Sequence, residues 1–163
     1  LTLSGAVAGT GSYTNNIASL TIGGALSTTT FTNAGTNTLT IGGSNTVTTF
    51  TATSAGNTVI YNGTSGAVTV KATNYSNLTI STSGQTATFA NATNTVSGNL
   101  NVTAGNFTVS GTTAFNVTGT TTIANGATFT FSGTTTAPTF TGDFTNNGTW
   151  NNSGGVEIGR AHV

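Results

Sequence analysis

Apolar and polar residues alternate one for one in short runs along this chain: Val68-Thr69-Val70, Leu78-Thr79-Ile80, Phe107-Thr108-Val109 and Ala127-Thr128-Phe129-Thr130-Phe131. Period two with β-branched and aromatic residues is the strand pattern, because side chains at i and i+2 share one face of a pleat and the intervening threonines the other. One face is therefore expected on a core and one in water. Between the runs stand Gly23-Gly24, Gly42-Gly43, Asn62-Gly63, Asn125-Gly126, Asn147-Gly148 and Gly154-Gly155. Gly and Asn accept positive φ at low steric cost, so these pairs mark tight corners. No stretch combines helical periodicity with a cap, and Thr- and Gly-rich sequence is a poor helix former. Essentially no helix is expected.

The runs also repeat. Leu20-Thr21-Ile22-Gly23-Gly24 returns as Leu39-Thr40-Ile41-Gly42-Gly43, and related cores follow at Val59-Ile60-Tyr61, Leu78-Thr79-Ile80, Leu100-Asn101-Val102 and Thr121-Thr122-Ile123. From Ile22 the steps to Ile41, Tyr61, Ile80, Val102 and Ile123 are 19, 20, 19, 22 and 21 residues. A period near twenty lies in the range of solenoid repeats. A coil of that length holds two or three short strands and cannot bury its own apolar face. Stacking coil on coil, with strands ~4.8 Å apart, buries it. The expected fold is an all-β, parallel β-helix (β-solenoid) of about eight coils. Ile, Leu, Val and Phe would form inner stacks, Asn corner ladders, and Thr the outer face. An antiparallel sandwich also has regularly spaced short strands, but it does not call for near-identical pentapeptides at a fixed period.

Composition narrows the chemistry. Only 2% of the 163 residues are charged and the formal net charge is zero, against about 25% charged in an average soluble protein. Such a surface cannot neutralise phosphates, so nucleic acid is not an expected partner. No apolar run approaches the ~20 residues that span a bilayer, so no membrane insertion is expected in this segment. Polar, low-complexity tracts often remain disordered. Zero net charge, one proline and alternating β-branched and aromatic residues weigh against that here. The chain has no cysteine, which removes disulfides and Cys-based zinc sites.

The heptapeptide Glu157-Ile158-Gly159-Arg160-Ala161-His162-Val163 departs from the pattern and holds three of the five Lys, Arg, Asp, Glu and His residues. It can be encoded as GAG ATC GGA AGA GCA CAC GTC, which contains a widely used sequencing-adapter string. The expectation is a single repeat region over residues 1–156, cut from a larger protein, followed by a non-native tail over 157–163 where a metagenomic reading frame ran into the adapter. Underlying nucleotides without that string would refute this.

No catalytic set emerges. A nucleophilic triad needs a His beside Ser or Cys, and the only His is His162. Glycoside hydrolysis usually needs paired carboxylates, and the chain has only Asp143 and Glu157. A lyase base with a cationic partner would require Lys71 and Asp143, 72 positions apart, to meet. Gly9-Thr10-Gly11 is too short a signal for phosphate binding. Asp143 alone is a poor calcium ligand, and the Gly-Gly-x-Gly-x-Asp calcium repeat is absent. The expectation is no enzyme activity, no cofactor and no metal. Trp150, Tyr61 and Tyr75, with Tyr13, are the candidate ligand-contacting residues, since aromatic faces can stack on sugars, although scattered aromatics more often pack in cores.

Tyr75-Ser76-Asn77-Leu78-Thr79-Ile80, Gly98-Asn99-Leu100-Asn101-Val102 and Gly126-Ala127-Thr128-Phe129 resemble repeats of large bacterial surface proteins, including autotransporter-type and filamentous-haemagglutinin-like adhesins. The resemblance covers residues 1–156. It implies an extracellular, cell-surface or secreted passenger or stalk, with adhesion to glycans or surfaces contributed by long repetitive faces. The alternative is an ice-binding or carbohydrate-binding solenoid. Ice binding would use outward threonines in Thr38-Leu39-Thr40, Thr51-Ala52-Thr53, Thr86-Ala87-Thr88 and Thr128-Phe129-Thr130, and it requires such pairs to stack on one flat face across five or more coils. With both ends cut through the array, the isolated chain is expected to self-associate end to end.

Overall fold

The computed structural model describes residues 1–90, 93–111, 114–132 and 138–152. These residues contain strands and turns and no helix, and every paired strand is parallel to its neighbour. Pairing joins strands about twenty residues apart, so the chain winds as a β-solenoid. Seven coils are complete and an eighth begins at Phe144–Asn146.

The first face carries the repeat seen in the sequence. Ser19–Ile22, Thr38–Ile41, Thr58–Tyr61, the start of Asn77–Ala90, the start of Leu100–Ser110, Thr121–Ile123 and Phe144–Asn146 stack above Thr2–Leu3. Leu3, Ile22, Ile41, Tyr61, Ile80, Val102 and Ile123 stand in one column. Leu20, Leu39, Val59, Leu78 and Leu100 form a second. Both columns point inward and are buried from coil 2 to coil 6. Each such aliphatic side chain contributes ~1.5–3 kcal/mol by leaving water. Thr21, Thr40, Ile60, Thr79, Asn101 and Thr122 lie between the columns and point outward, as the pleat requires.

Two further faces close each coil. The second runs through Val7–Ala8, Leu26–Ser27, Asn45, Val68–Val70, the end of Asn77–Ala90, the end of Leu100–Ser110, Thr128–Ser132 and Thr149–Asn152. The third runs through Ser12–Asn15, Thr30–Asn33, Thr49–Thr51 with Ala52, Tyr75, Asn94–Val96, Phe115–Val117 and Thr139–Phe140. From the sixth coil onward aromatic rings gather in the interior beside the aliphatic columns. Phe129 lies 5.0 Å from both Phe107 and Trp150, centroid to centroid.

Corners are set by close backbone approach. A Cβ on Gly42 would strike the carbonyl oxygen of Gly23 one coil below, and one on Gly119 would strike that of Gly98. Gly105 has φ +78° and seats its Cα against the Thr82 carbonyl, where the pairing of the fifth and sixth coils shifts register between Ile80 and Thr86. A side chain there would be strained and would have no space.

Candidate functional site

Three features stand apart from the apolar core: a buried asparagine ladder, a buried tyrosine pair and the outward polar rows. The ladder fills the corner between the third face and the first face of the next coil. Asn15 Nδ2 donates to Asn33 Oδ1 at 2.7 Å, and Asn33 Nδ2 donates to Asn57 Oδ1 at 2.9 Å. Asn57 Nδ2 donates in turn to the carbonyls of Asn33 and Gly35, at 2.7 and 3.1 Å. Asn33 and Asn57 are 1% and 0% exposed, a position tolerable for a carboxamide only when both its ends are paired. From coil to coil each amide satisfies its neighbour, and the ladder leaves no side-chain polar group open to a ligand.

The tyrosine pair lies inside the fourth coil. Tyr61 enters from the first face and Tyr75 from the third, and their hydroxyls meet at 3.0 Å. Tyr75 donates its proton to the Lys71 carbonyl at 2.7 Å, so in the pair Tyr61 is the donor and Tyr75 the acceptor. The Tyr61 oxygen accepts from Asn45 Nδ2 at 3.1 Å and from the Lys71 amide at 3.2 Å. Burial pushes the Tyr61 hydroxyl above its ordinary pKa despite those hydrogen bonds. Tyr75 is raised further, by burial first and then by the neighbouring Tyr61.

These positions correct the expectation that Tyr61 and Tyr75 contact a ligand. They are 0% and 1% exposed, and neither ring has a free face for a sugar. The physical reason is the column itself, since Tyr61 occupies the slot held by Ile41 below and Ile80 above. Trp150 is separate from the pair. It lies in the eighth coil, four coil spacings or ~19 Å along the axis, half-buried and edge-to-face with Phe129, Phe140 and Phe144. Tyr13 is 43% exposed, at the first coil. There Leu1, Leu3, Val7, Tyr13, Ile17 and Leu20 border an apolar cavity of about 370 Å³.

The pair has a consequence in alkali. Below about pH 10, the ordinary phenol value, Tyr61 and Tyr75 are protonated in both folded and unfolded chain, and their full contribution to stability is present. As pH rises past that point the unfolded chain releases these protons while the folded chain keeps them, so stability falls. Urea-unfolding midpoints are expected to drop steadily above about pH 10, and less steeply in a Tyr61→Phe, Tyr75→Phe double variant. Equal pH dependence of the two proteins would contradict the assignment.

The outward threonines distribute around the perimeter. Thr38 and Thr40 are on the first face, Thr51 on the third, and Thr86, Thr88, Thr128 and Thr130 on the second. On the first face the row Thr21, Thr40, Ile60, Thr79, Asn101 is interrupted at its third and fifth members. Among the described residues no face carries Thr pairs through five coils. Lys71 follows the second-face strand of the fourth coil and Asp143 opens the eighth, so the fold does not bring them together. Glu157, Arg160 and His162, with the whole 157–163 tail, lie outside the described residues. Among the described residues no three His, Cys, Asp or Glu side chains cluster, and no helix is long and apolar enough to cross a membrane.

No protein-family model, curated protein or solved structure matches the chain. Its reading therefore rests on its own residues: a stack whose interior Asn33, Asn57, Tyr61 and Tyr75 side chains are hydrogen-bonded, while Asn94 Oδ1 and Thr121 Oγ1 are buried without a partner among the described residues.

Proposed function

We propose that this chain is a structural repeat region, the passenger or stalk of a bacterial cell-surface or secreted adhesin-like protein, without catalysis. The observation that carries the reading is the continuity of the stack. One parallel ladder runs unbroken along the first face, the other two faces continue it in shorter sheets joined by isolated bridges, and the interior polar groups of Asn33, Asn57, Tyr61 and Tyr75 are hydrogen-bonded. A body of this kind converts chain length into reach, at ~4.8 Å per coil. It presents the same weak hydroxyl and amide contacts along its length, and contacts of that kind add through repetition. The resemblance of the repeats to surface adhesins points the same way.

Coil deletion tests the reading. Removal of residues 20–38 joins Ser19 to Leu39-Thr40-Ile41-Gly42-Gly43 and restores the deleted pentapeptide. The shortened chain is expected to fold and to adhere to glycan-coated or cell surfaces in graded proportion to its remaining coils. Its solutions should show no thermal hysteresis, because outward Thr pairs do not line one face. Adhesion abolished by a single surface substitution would overturn the stalk reading in favour of a discrete binding site. So would turnover of a polysaccharide.

A further inference from the structure

The chain contains three Asn-Gly pairs, Asn62-Gly63, Asn125-Gly126 and Asn147-Gly148, and the fold treats them differently. From that difference we infer that Asn125 is a site of spontaneous deamidation, the one of the three at which the folded chain leaves the reaction open.

The reaction is intramolecular. The glycine amide nitrogen, having lost its proton, attacks the asparagine Cγ and forms a new N–C bond. The bond from Cγ to the carboxamide nitrogen breaks, and ammonia leaves with the proton it takes from solvent. Water then adds to either carbonyl of the five-membered succinimide and opens the ring to aspartate or isoaspartate. The sum is amide plus water giving carboxylic acid plus ammonia, with no oxidant or reductant. The requirements are a glycine N–H free of hydrogen bonds, an unheld asparagine side chain, and room for the ring.

Asn125 meets all three. It sits with Gly126 in an exposed turn closed by the Ala127 amide on the Ala124 carbonyl at 3.0 Å. Among the described residues nothing hydrogen-bonds the Asn125 carboxamide or the Gly126 amide, and none comes within 4 Å of a Cβ on Gly126. At Asn147 the Gly148 amide is engaged by Asn146 Oδ1 at 3.1 Å and the Asn147 amide by the Ile123 carbonyl at 2.8 Å. Gly148 also lies against the carbonyls of Ala124 and Ala127. At Asn62 the glycine is buried, and a Cβ on Gly63 would come within 2.6 Å of Val68 Cγ2 and 2.9 Å of the Gly42 carbonyl. Both competing sites must displace packed or hydrogen-bonded backbone to form the ring, whereas Gly126 has no described neighbour within 4 Å of a Cβ position.

The product matters in this chain because it is nearly uncharged. A carboxylate at position 125 moves the formal net charge from zero to minus one, and isoaspartate adds a methylene to the backbone of a corner.

The experiment is incubation of the intact chain at mildly alkaline pH, with peptide mapping by mass spectrometry and isoelectric focusing at intervals. The folded chain should convert at Asn125 at least about ten-fold faster than at Asn62 or Asn147, a difference of about 1.4 kcal/mol in barrier. A more acidic band should appear in parallel. In urea the three sites should converge in rate, which shows that the fold and not the flanking sequence sets the order. Conversion at Asn62 or Asn147 as fast as at Asn125 in the folded chain would overturn the inference, as would an Asn125 that stays intact while the urea-treated chain reacts.

Discussion

Phe129→Ala is expected to lower the unfolding free energy by about 4 kcal/mol, the size of effect that follows deletion of a fully buried aromatic ring from a packed core. Phe129 is 0% exposed. It stacks on Phe107 at 5.0 Å and 27° and meets Trp150 edge-on at 5.0 Å and 89°. Phe115, Phe131 and Phe140 each lie 6.3 Å from it. The substitution removes the common partner of the sixth, seventh and eighth coils. Because each coil of a solenoid contacts only its neighbours, the loss should stay local. Trp150 fluorescence should then report unfolding at lower urea than circular dichroism of the whole chain. Phe129→Leu, which keeps most of the volume, should cost under about 1.5 kcal/mol. A Phe129→Ala protein as stable as the parent would mean the aromatic cluster is not the core of this end.

Asn57→Leu should cost about 3 kcal/mol although it preserves size and adds apolar surface. Leucine cannot donate to the carbonyls of Asn33 and Gly35, nor accept from Asn33 Nδ2. The Asn33 carbonyl would be left buried and short of a partner, and the penalty for a stranded polar group exceeds the net worth of the bond it lost. Asn33→Leu should be similarly costly. The double variant should cost clearly less than the sum of the two, since each single change already breaks the link between them. Thermal unfolding of the four proteins gives the cycle, and strict additivity would contradict the ladder.

The first face was legible in the sequence because its spacing is nearly constant. The steps from Ile22 through Ile41, Tyr61, Ile80 and Val102 to Ile123 are the register of the folded column, residue for residue. The other two faces were harder to read, since the corners leading to them vary in length. Leu26 follows Ile22 by four residues, Phe107 follows Val102 by five and Ala87 follows Ile80 by seven. The offset between the two faces therefore changes from coil to coil, although the second-face steps from Val68 through Ala87, Phe107 and Phe129 to Trp150 are 19, 20, 22 and 21 residues.

The burial of Tyr61 was available from the same step series, which places it in an aliphatic column. Its aromatic chemistry suggested a surface role, but position in the column governs. For Tyr75 no such signal existed. Its place is fixed by isolated bridges to Ala52 and Val96, and by a hydroxyl that finds Tyr61 fourteen residues away in sequence. Asparagine corner ladders were expected. That the buried ladder ends at Asn57, and that Asn77 and Asn99 carry the corner onward beside stacked Gly98, Gly119 and Gly142, was not. Both solutions meet one steric demand. Asparagine fills a corner wide enough for a paired amide, and glycine fits where successive backbones touch.

Distances along one outward column test the solenoid, and with it the proposal that this chain is a spacer. The chain has no cysteine, so spin labels can be placed at will. Thr21, Thr79, Thr122 and Thr145 occupy the same column at the second, fifth, seventh and eighth coils. Pulsed dipolar spectroscopy on pairs that include position 21 should give separations rising through ~14, ~24 and ~29 Å, in step with three, five and six coil spacings of ~4.8 Å. Separations that do not grow with coil number, or that shorten between Thr122 and Thr145, would contradict a parallel stack.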